Sequence, residues 1–149
     1  MIRVQREEFD VGAELEKLSE GNPRIGAVAS FIGLVRDMGG GDKIEALTLE
    51  HYPGMTEKKL AEIEAEANRR WPLDASLVIH RYGRLEPGDR IVLVATASPH
   101  REAALAACHF LIDWLKTDAP FWKSEETPDG ERWVGARAED DRAKDRWRG

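Results

Sequence analysis

The stretch Arg90-Ile91-Val92-Leu93-Val94-Ala95-Thr96-Ala97 constrains the fold of this chain more than any other. It is apolar on both of the faces that a strand presents, so it reads as a continuous buried strand. Ser98-Pro99 then changes the period. A serine in the capping place and a proline at the first helical position open a helix. Ala104, Cys108 (or Ala107), Leu111 and Leu115 give that helix an apolar stripe. A buried strand that runs into an amphipathic helix calls for helices layered on a sheet.

Around this unit the chain reads as two similar halves, each rich in strand signals and carrying one helix. In the first half, residues 25–35 are a long strand of small and branched side chains, and Gly39-Gly40-Gly41-Asp42 is a flexible loop. Residues 44–50 return as a second strand, and Pro53-Gly54 turns the chain. Thr56 stands where it can cap a helix with Leu60, Ile63, Ala67 and Trp71 on one face, and Pro72 stops that helix. In the second half, residues 76–82 are a strand and Glu86-Pro87-Gly88-Asp89 a turn, ahead of the buried strand and its helix. Residues 121–127 and 132–134, joined by Pro128-Asp129-Gly130, form a last hairpin. Residues 137–149 are a mixed-charge tail with Trp147 among its few apolar anchors, ordered only if it docks. Hairpins mixed with crossover helices give an α+β fold in a single domain over residues 1–149, not a doubly wound one.

Composition removes several function classes. One cysteine permits no intrachain disulfide and fits a reducing compartment. The first residues carry no apolar run after their positive charges, which argues against a signal peptide. No stretch approaches the roughly 18 apolar residues of a membrane span, so a soluble, cytoplasmic protein is expected. The net charge of −6 argues against a general nucleic-acid binder. It also makes any convergence of cations a pointer to a specific anion.

Four places carry such cations. Arg36 ends the first long strand beside the glycine loop, and His100 and Arg101 lie in the first turn of the second helix, where orphan backbone N–H groups favour an anion. Lys116 closes that helix, and Lys123 follows the break at Asp118-Ala119-Pro120, so the chain can fold back and bring the two lysines together. Three of the four have a plainer explanation, whereas for His100 and Arg101 the two readings balance, because cations at a helix N-terminus work against the dipole and need a reason. A lysine at a helix C-terminus complements the dipole, a hairpin lysine is a solvated edge residue, and Arg36 is a surface arginine. Phe121 and Trp122 between the lysines strengthen the functional reading, since a desolvated lysine readily shifts its pKa. Cys108 lies on the apolar helix face and reads as packing. One cysteine and four scattered histidines suggest no metal site, and no phosphate loop or dinucleotide fingerprint is present.

Geometry adds a constraint. In one helix over residues 99–115, a rise of 1.5 Å per residue puts His100 and Lys116 about 24 Å apart. They belong either to different sites or to a pocket shared by two copies of the chain, which a symmetric dimer would contain twice.

Taken together, residues 46–55, Ile79-His80-Arg81 with Pro87-Gly88-Asp89, Ser98-Pro99-His100-Arg101 and residues 115–123 (Leu-Lys-Thr-Asp-Ala-Pro-Phe-Trp-Lys) resemble the catalytic large subunit of the molybdopterin synthase family. The likeness runs from about residue 2 to residue 148, and its most specific element is the segment from Lys116 to Lys123. The resemblance implies an α/β hammerhead with an added antiparallel sheet, and a heterotetramer in which two large subunits dimerise and each binds a small ubiquitin-like subunit. The small subunit's Gly-Gly tail would carry a thiocarboxylate whose sulfur goes to cyclic pyranopterin monophosphate, forming the dithiolene of molybdopterin. No metal or other cofactor is then expected, because the sulfur arrives already activated. Carried over by position, Lys116 and Lys123 are the catalytic lysines, and Arg36, His100 and Arg101 bind substrate, with Phe31 and Arg137 further pocket positions. The competing readings are a non-catalytic anion-binding module, which needs the arginines but not the lysines, and a scaffold for a ubiquitin-like partner, which needs neither.

Overall fold

The computed structural model describes residues 1–39, 41–134 and 138–148. In chain order the elements are β1 (Ile2–Gln5), α1 (Val11–Ser19), β2 (Ala27–Leu34), β3 (Met38–Gly39), β4 (Asp42–Lys43), β5 (Ala46–His51) and α2 (Met55–Arg70). They continue as β6 (Ala75–Arg81), β7 (Gly83–Leu85), β8 (Arg90–Ser98), α3 (Arg101–Asp118), β9 (Phe121–Thr127), β10 (Gly130–Val134) and α4 (Ala138–Asp145).

The buried strand organises the first sheet, whose order is β1-β6-β8-β2. β8 pairs antiparallel with both neighbours, and β1 joins the far side of β6 in parallel. Its apolar run is explained by what covers each face. Val92 and Val94 join a core with Leu60 and Ile63 of α2 and Phe110, Leu111 and Leu115 of α3. Leu93 and Ala95 point the other way, into a cluster with Leu77, Ile79 and Phe9 that is closed by Val11, Leu15 and Leu18 of α1. Helix α1 and strands β1 and β7 are absent from the expectations above. Asp10 caps α1 by accepting from the Ala13 N–H at 3.0 Å.

The second sheet, β10-β9-β5-β7, is antiparallel throughout. The glycine segment expected as a loop is a short hairpin instead, with Met38 opposite Lys43 and Gly39 opposite Asp42. Arg132 Nη2 holds it down by donating to the Gly39 carbonyl at 2.6 Å.

Two helix starts differ from expectation. α2 begins at Met55, with Gly54 as cap at φ 88°, a left-handed conformation that suits glycine. The Gly54 N–H donates to Glu57 Oε2 at 2.6 Å, while Thr56 is buried inside the first turn with its hydroxyl on the Tyr52 carbonyl. α3 begins at Arg101 after His100, and the Ser98 hydroxyl accepts from the His100 N–H at 3.1 Å, so the serine holds an orphan donor from one position further back.

The described part of the tail does dock. Trp147 packs edge-on against Phe110 and Trp71, and its Nε1 donates to Asp113 at 2.7 Å. Lys144 pairs with Asp118 at 2.6 Å. Among the described residues, no helix is long and apolar enough to cross a membrane.

Candidate functional site

The two lysines reach one place from different layers. α3 ends at Asp118, and Ala119-Pro120 carries the chain across to β9 in the second sheet. Lys116 stands in the last turn of α3, exposed. Strand alternation puts Phe121, Lys123 and Glu125 on one face of β9, opposite His51, Leu49 and Leu47 of β5. The fold-back expected at Asp118-Ala119-Pro120 is therefore present, and its product is a seam between the layers.

His80 lies at the centre of that seam. It is 6% exposed, near the end of β6, opposite Val92 of β8 and Val4 of β1. Its ring stacks on Phe121 with centroids 3.8 Å apart and planes 16° from parallel. Nδ1 lies 2.8 Å from the Arg81 carbonyl oxygen. A carbonyl has no proton to give, so Nδ1 carries the hydrogen and Nε2 keeps a lone pair. Burial above all, with the charges of Lys123 and Lys116 adding to it and the hydrogen bond to Arg81 opposing it, pushes the imidazole pKa down to about 3. Both ammonium groups thus lie within electrostatic reach of the same buried ring.

Around this centre the remaining side chains are fixed. His51 contacts Tyr82 and Phe121, with centroids 4.5 and 6.0 Å away. Its Nδ1 is 3.0 Å from the Thr56 hydroxyl, which already gives its own proton to the Tyr52 carbonyl, so His51 is the donor. Glu125, 5% exposed, faces Arg132 Nη2 at 3.5 Å. A Cβ on Gly39 would stand 2.7 Å from Glu125 Oε2 and 2.5 Å from Ile44 Cδ1, so only glycine lets the hairpin lie this close. Arg81 is occupied structurally, donating to the carbonyls of Arg6 and Arg90 at 2.9 and 3.0 Å.

The other expected residues divide by position along the strands. Arg36 follows β2 at the end where Leu34 pairs with Arg90, the same end as His80. Phe31 lies mid-strand, opposite Val94 and packed against the main core. His100 and Arg101 are exposed at the far end, because α3 is unbroken from Arg101 to Asp118. Within one chain they do not meet the lysines. Arg137 lies outside the described residues. Cys108 is buried beneath α3, where burial raises its thiol to about 11 and keeps it protonated, in keeping with a packing role. Among the described residues, no group of three or more histidine, cysteine or carboxylate side chains is arranged to hold a metal. His80, His51 and Phe121 were not among the sequence candidates. The available signal was a lone histidine within the apolar run Leu77-Val78-Ile79.

Residues 4–118 match the family described as MoaE protein. The chain is 59% identical over 146 residues to the molybdopterin synthase catalytic subunit of Ralstonia nicotianae, covering 98% of this chain and 83% of that protein. It is 55% identical over 146 residues to the molybdopterin synthase catalytic subunit of Pseudomonas aeruginosa, covering 98% and 97%. The solved molybdopterin biosynthesis MoaE protein of Burkholderia ambifaria superimposes with a TM-score of 0.85 at 55% identity, covering 99% of this chain and 97% of that one.

Proposed function

The chain belongs to the MoaE family, and from that premise we propose how its site works. As a molybdopterin synthase catalytic subunit it is a sulfurtransferase of molybdenum-cofactor biosynthesis. It moves sulfur from the C-terminal thiocarboxylate of a small ubiquitin-like subunit to cyclic pyranopterin monophosphate, and so builds the dithiolene of molybdopterin. The observation that carries the assignment of the site is that α3, with Lys116 in its last turn, folds back into β9, where Lys123 follows two residues after Phe121, the ring stacked on His80. Both reactants are anionic, and two ammonium groups at the mouth of a seam meet that need. Lys116, exposed at the end of α3, stabilises charge at the thiocarboxylate as sulfur is transferred, or exchanges protons there. Lys123, half-buried in β9, positions or protonates the pterin.

Arg36 lies at the same end and binds phosphate or pterin by charge-assisted hydrogen bonds. His100 and Arg101 do so from a second large subunit, since an unbroken α3 separates them from their own lysines. The assembly that follows is a homodimer of large subunits carrying a small subunit on each, a heterotetramer. The two-sheet arrangement supports reading the fold as an α/β hammerhead with an added antiparallel sheet.

The test is reconstitution of the chain with a thiocarboxylated small subunit and the cyclic pterin. Lys116→Ala and Lys123→Ala should each reduce dithiolene formation by about 10²–10⁴-fold, the usual scale of acid–base and electrostatic roles. Circular dichroism and small-subunit binding should be unchanged. Near-normal turnover in either variant would return that lysine to the surface reading.

A further inference from the structure

We infer that His80 is a positioning residue for the lysine pair: its ring anchors β9 through Phe121, and its Nε2 lone pair takes a hydrogen bond from a lysine ammonium, directly or through one water. The inference rests on the assignment of Lys116 and Lys123 to the reaction.

Three observations support it. The stack on Phe121 places the imidazole on the face of β9 that also carries Lys123, two residues on. This contact ties the first sheet to the second beside the point where α3 delivers Lys116. The Arg81 carbonyl fixes the tautomer, so the nitrogen left over is an acceptor and not a second donor. The charges that act on the ring are those of Lys123 from β9, Lys116 from α3 and His51 from β5. The one carboxylate on the same face of β9, Glu125, lies four residues beyond Phe121 and faces Arg132. Arg81 is turned to backbone carbonyls, and Val4 and Val92 flank His80 from β1 and β8. A buried imidazole among cations stays neutral, as its pKa of about 3 also indicates.

A neutral acceptor beside two ammonium groups has a definite use. A lone pair that accepts from one of them favours its charged form, and a neutral ring does so without adding a third positive charge. A histidine that merely filled the core would need its shape and the Nδ1 donor, but not the Nε2 lone pair.

The decisive variants are His80→Phe, which keeps the stack and removes the acceptor together with the Nδ1 donor to Arg81, and His80→Gln, which sets an amide near the place of Nε2. In the reconstituted assay His80→Phe should lose on the order of 10- to 100-fold in turnover, the scale of a misplaced catalytic group. The alkaline limb of its pH profile should move to lower pH, because the lysine proton is held less well. His80→Gln should recover part of the loss. A His80→Phe variant with normal turnover and an unmoved alkaline limb, beside an inactive Lys123→Ala, would overturn the role of His80 and leave that of the lysines standing. An active Lys123→Ala would remove the lysine assignment itself. Should His80→Phe not fold, nitrogen NMR of the intact protein decides the matter. The Nε2 resonance should be that of a hydrogen-bonded acceptor and should shift in Lys116→Met or Lys123→Met. A Nε2 resonance that neither substitution moves would end the inference.

Discussion

Acid should destabilise this protein well above the carboxylate range, and His80 should be the reason. In the unfolded chain a histidine takes up a proton near pH 6.5, whereas folded His80 holds out to about 3. Between those values the unfolded state binds one more proton than the folded state, so stability falls as pH falls. The slope is about 1.4 kcal/mol per pH unit once pH is well below 6.5, and between pH 7 and pH 4.5 the loss integrates to about 2.5 kcal/mol. That is a large part of the roughly 5–15 kcal/mol that holds an ordinary domain together. The carboxylates do not share this window. Glu14 and Glu66 are held below their ordinary 4.5 by hydrogen bonds from Arg3 and Arg69, so their contribution is complete above that pH and is lost only beneath it. Glu126, bonded to Arg84, behaves likewise. Urea unfolding followed by tryptophan fluorescence at a series of pH values isolates the effect. His80→Phe strands the Arg81 carbonyl and should cost about 1–3 kcal/mol at every pH. Its stability should nonetheless be nearly flat from pH 6.5 to 4.5, where the natural protein declines. Equal slopes in the two proteins would refute the assignment of this acid sensitivity to His80.

Two other outcomes are expected. When a Lys116→Ala chain and an Arg101→Ala chain, each nearly inactive, are allowed to exchange subunits, the mixed dimer holds one pocket with neither defect, so activity should partly return; confirmed exchange without recovery would place all these residues within one subunit. Trp147→Ala should cost about 2–3 kcal/mol in urea unfolding by removing the ring from Phe110 and Trp71 and the bond to Asp113, and an unchanged midpoint would show that this contact does not hold α4 on α3.

What could be read from the sequence depended on how far each signal extends along the chain. β8 and α3 were legible because each repeats one period over many residues, and every residue of the expected α3 stripe is buried. The last hairpin was legible from Pro128-Asp129-Gly130, with Gly130 at φ 117°. By contrast β1 has four residues and β7 three, too short for a period to show. α1 rests on Val11, Leu15 and Leu18 alone, all half-buried. At the helix starts the regions were read correctly and the capping residues were not: α2 is capped by Gly54, and α3 by His100 with Arg101, not Pro99, at its first position. Ser98 holds a backbone donor from before the cap, and Gly54, with a φ that suits glycine, takes the place given to Thr56. The lysines were legible as a pair flanking a helix break. His80 was not, because nothing in its own neighbourhood shows that it will stack on Phe121. That contact depends on how the two sheets sit against each other, which no local pattern encodes.

The same packing explains why the candidate chemistry sits at the seam and not on either sheet. In the first sheet β8 is buried on both faces, by α2 and α3 on one side and α1 on the other, so its interior offers no room for a charged group. In the second sheet, Leu47, Leu49 and Leu85 close a small core with Val35. A cation can be held beside buried apolar surface only where these layers end, and that is where α3 gives way to β9. Lysine suits such a boundary, because its stem can lie on apolar surface while its ammonium group stays hydrated. A neutral imidazole set beneath two of them completes the arrangement: it fills the apolar side of the seam with a ring and offers the polar side a lone pair. The helix that brings Lys116 to this boundary carries His100 and Arg101 away from it, so α3 acts as a rigid spacer. On the proposed reading, its length is what calls for a second copy of the chain to complete the pocket.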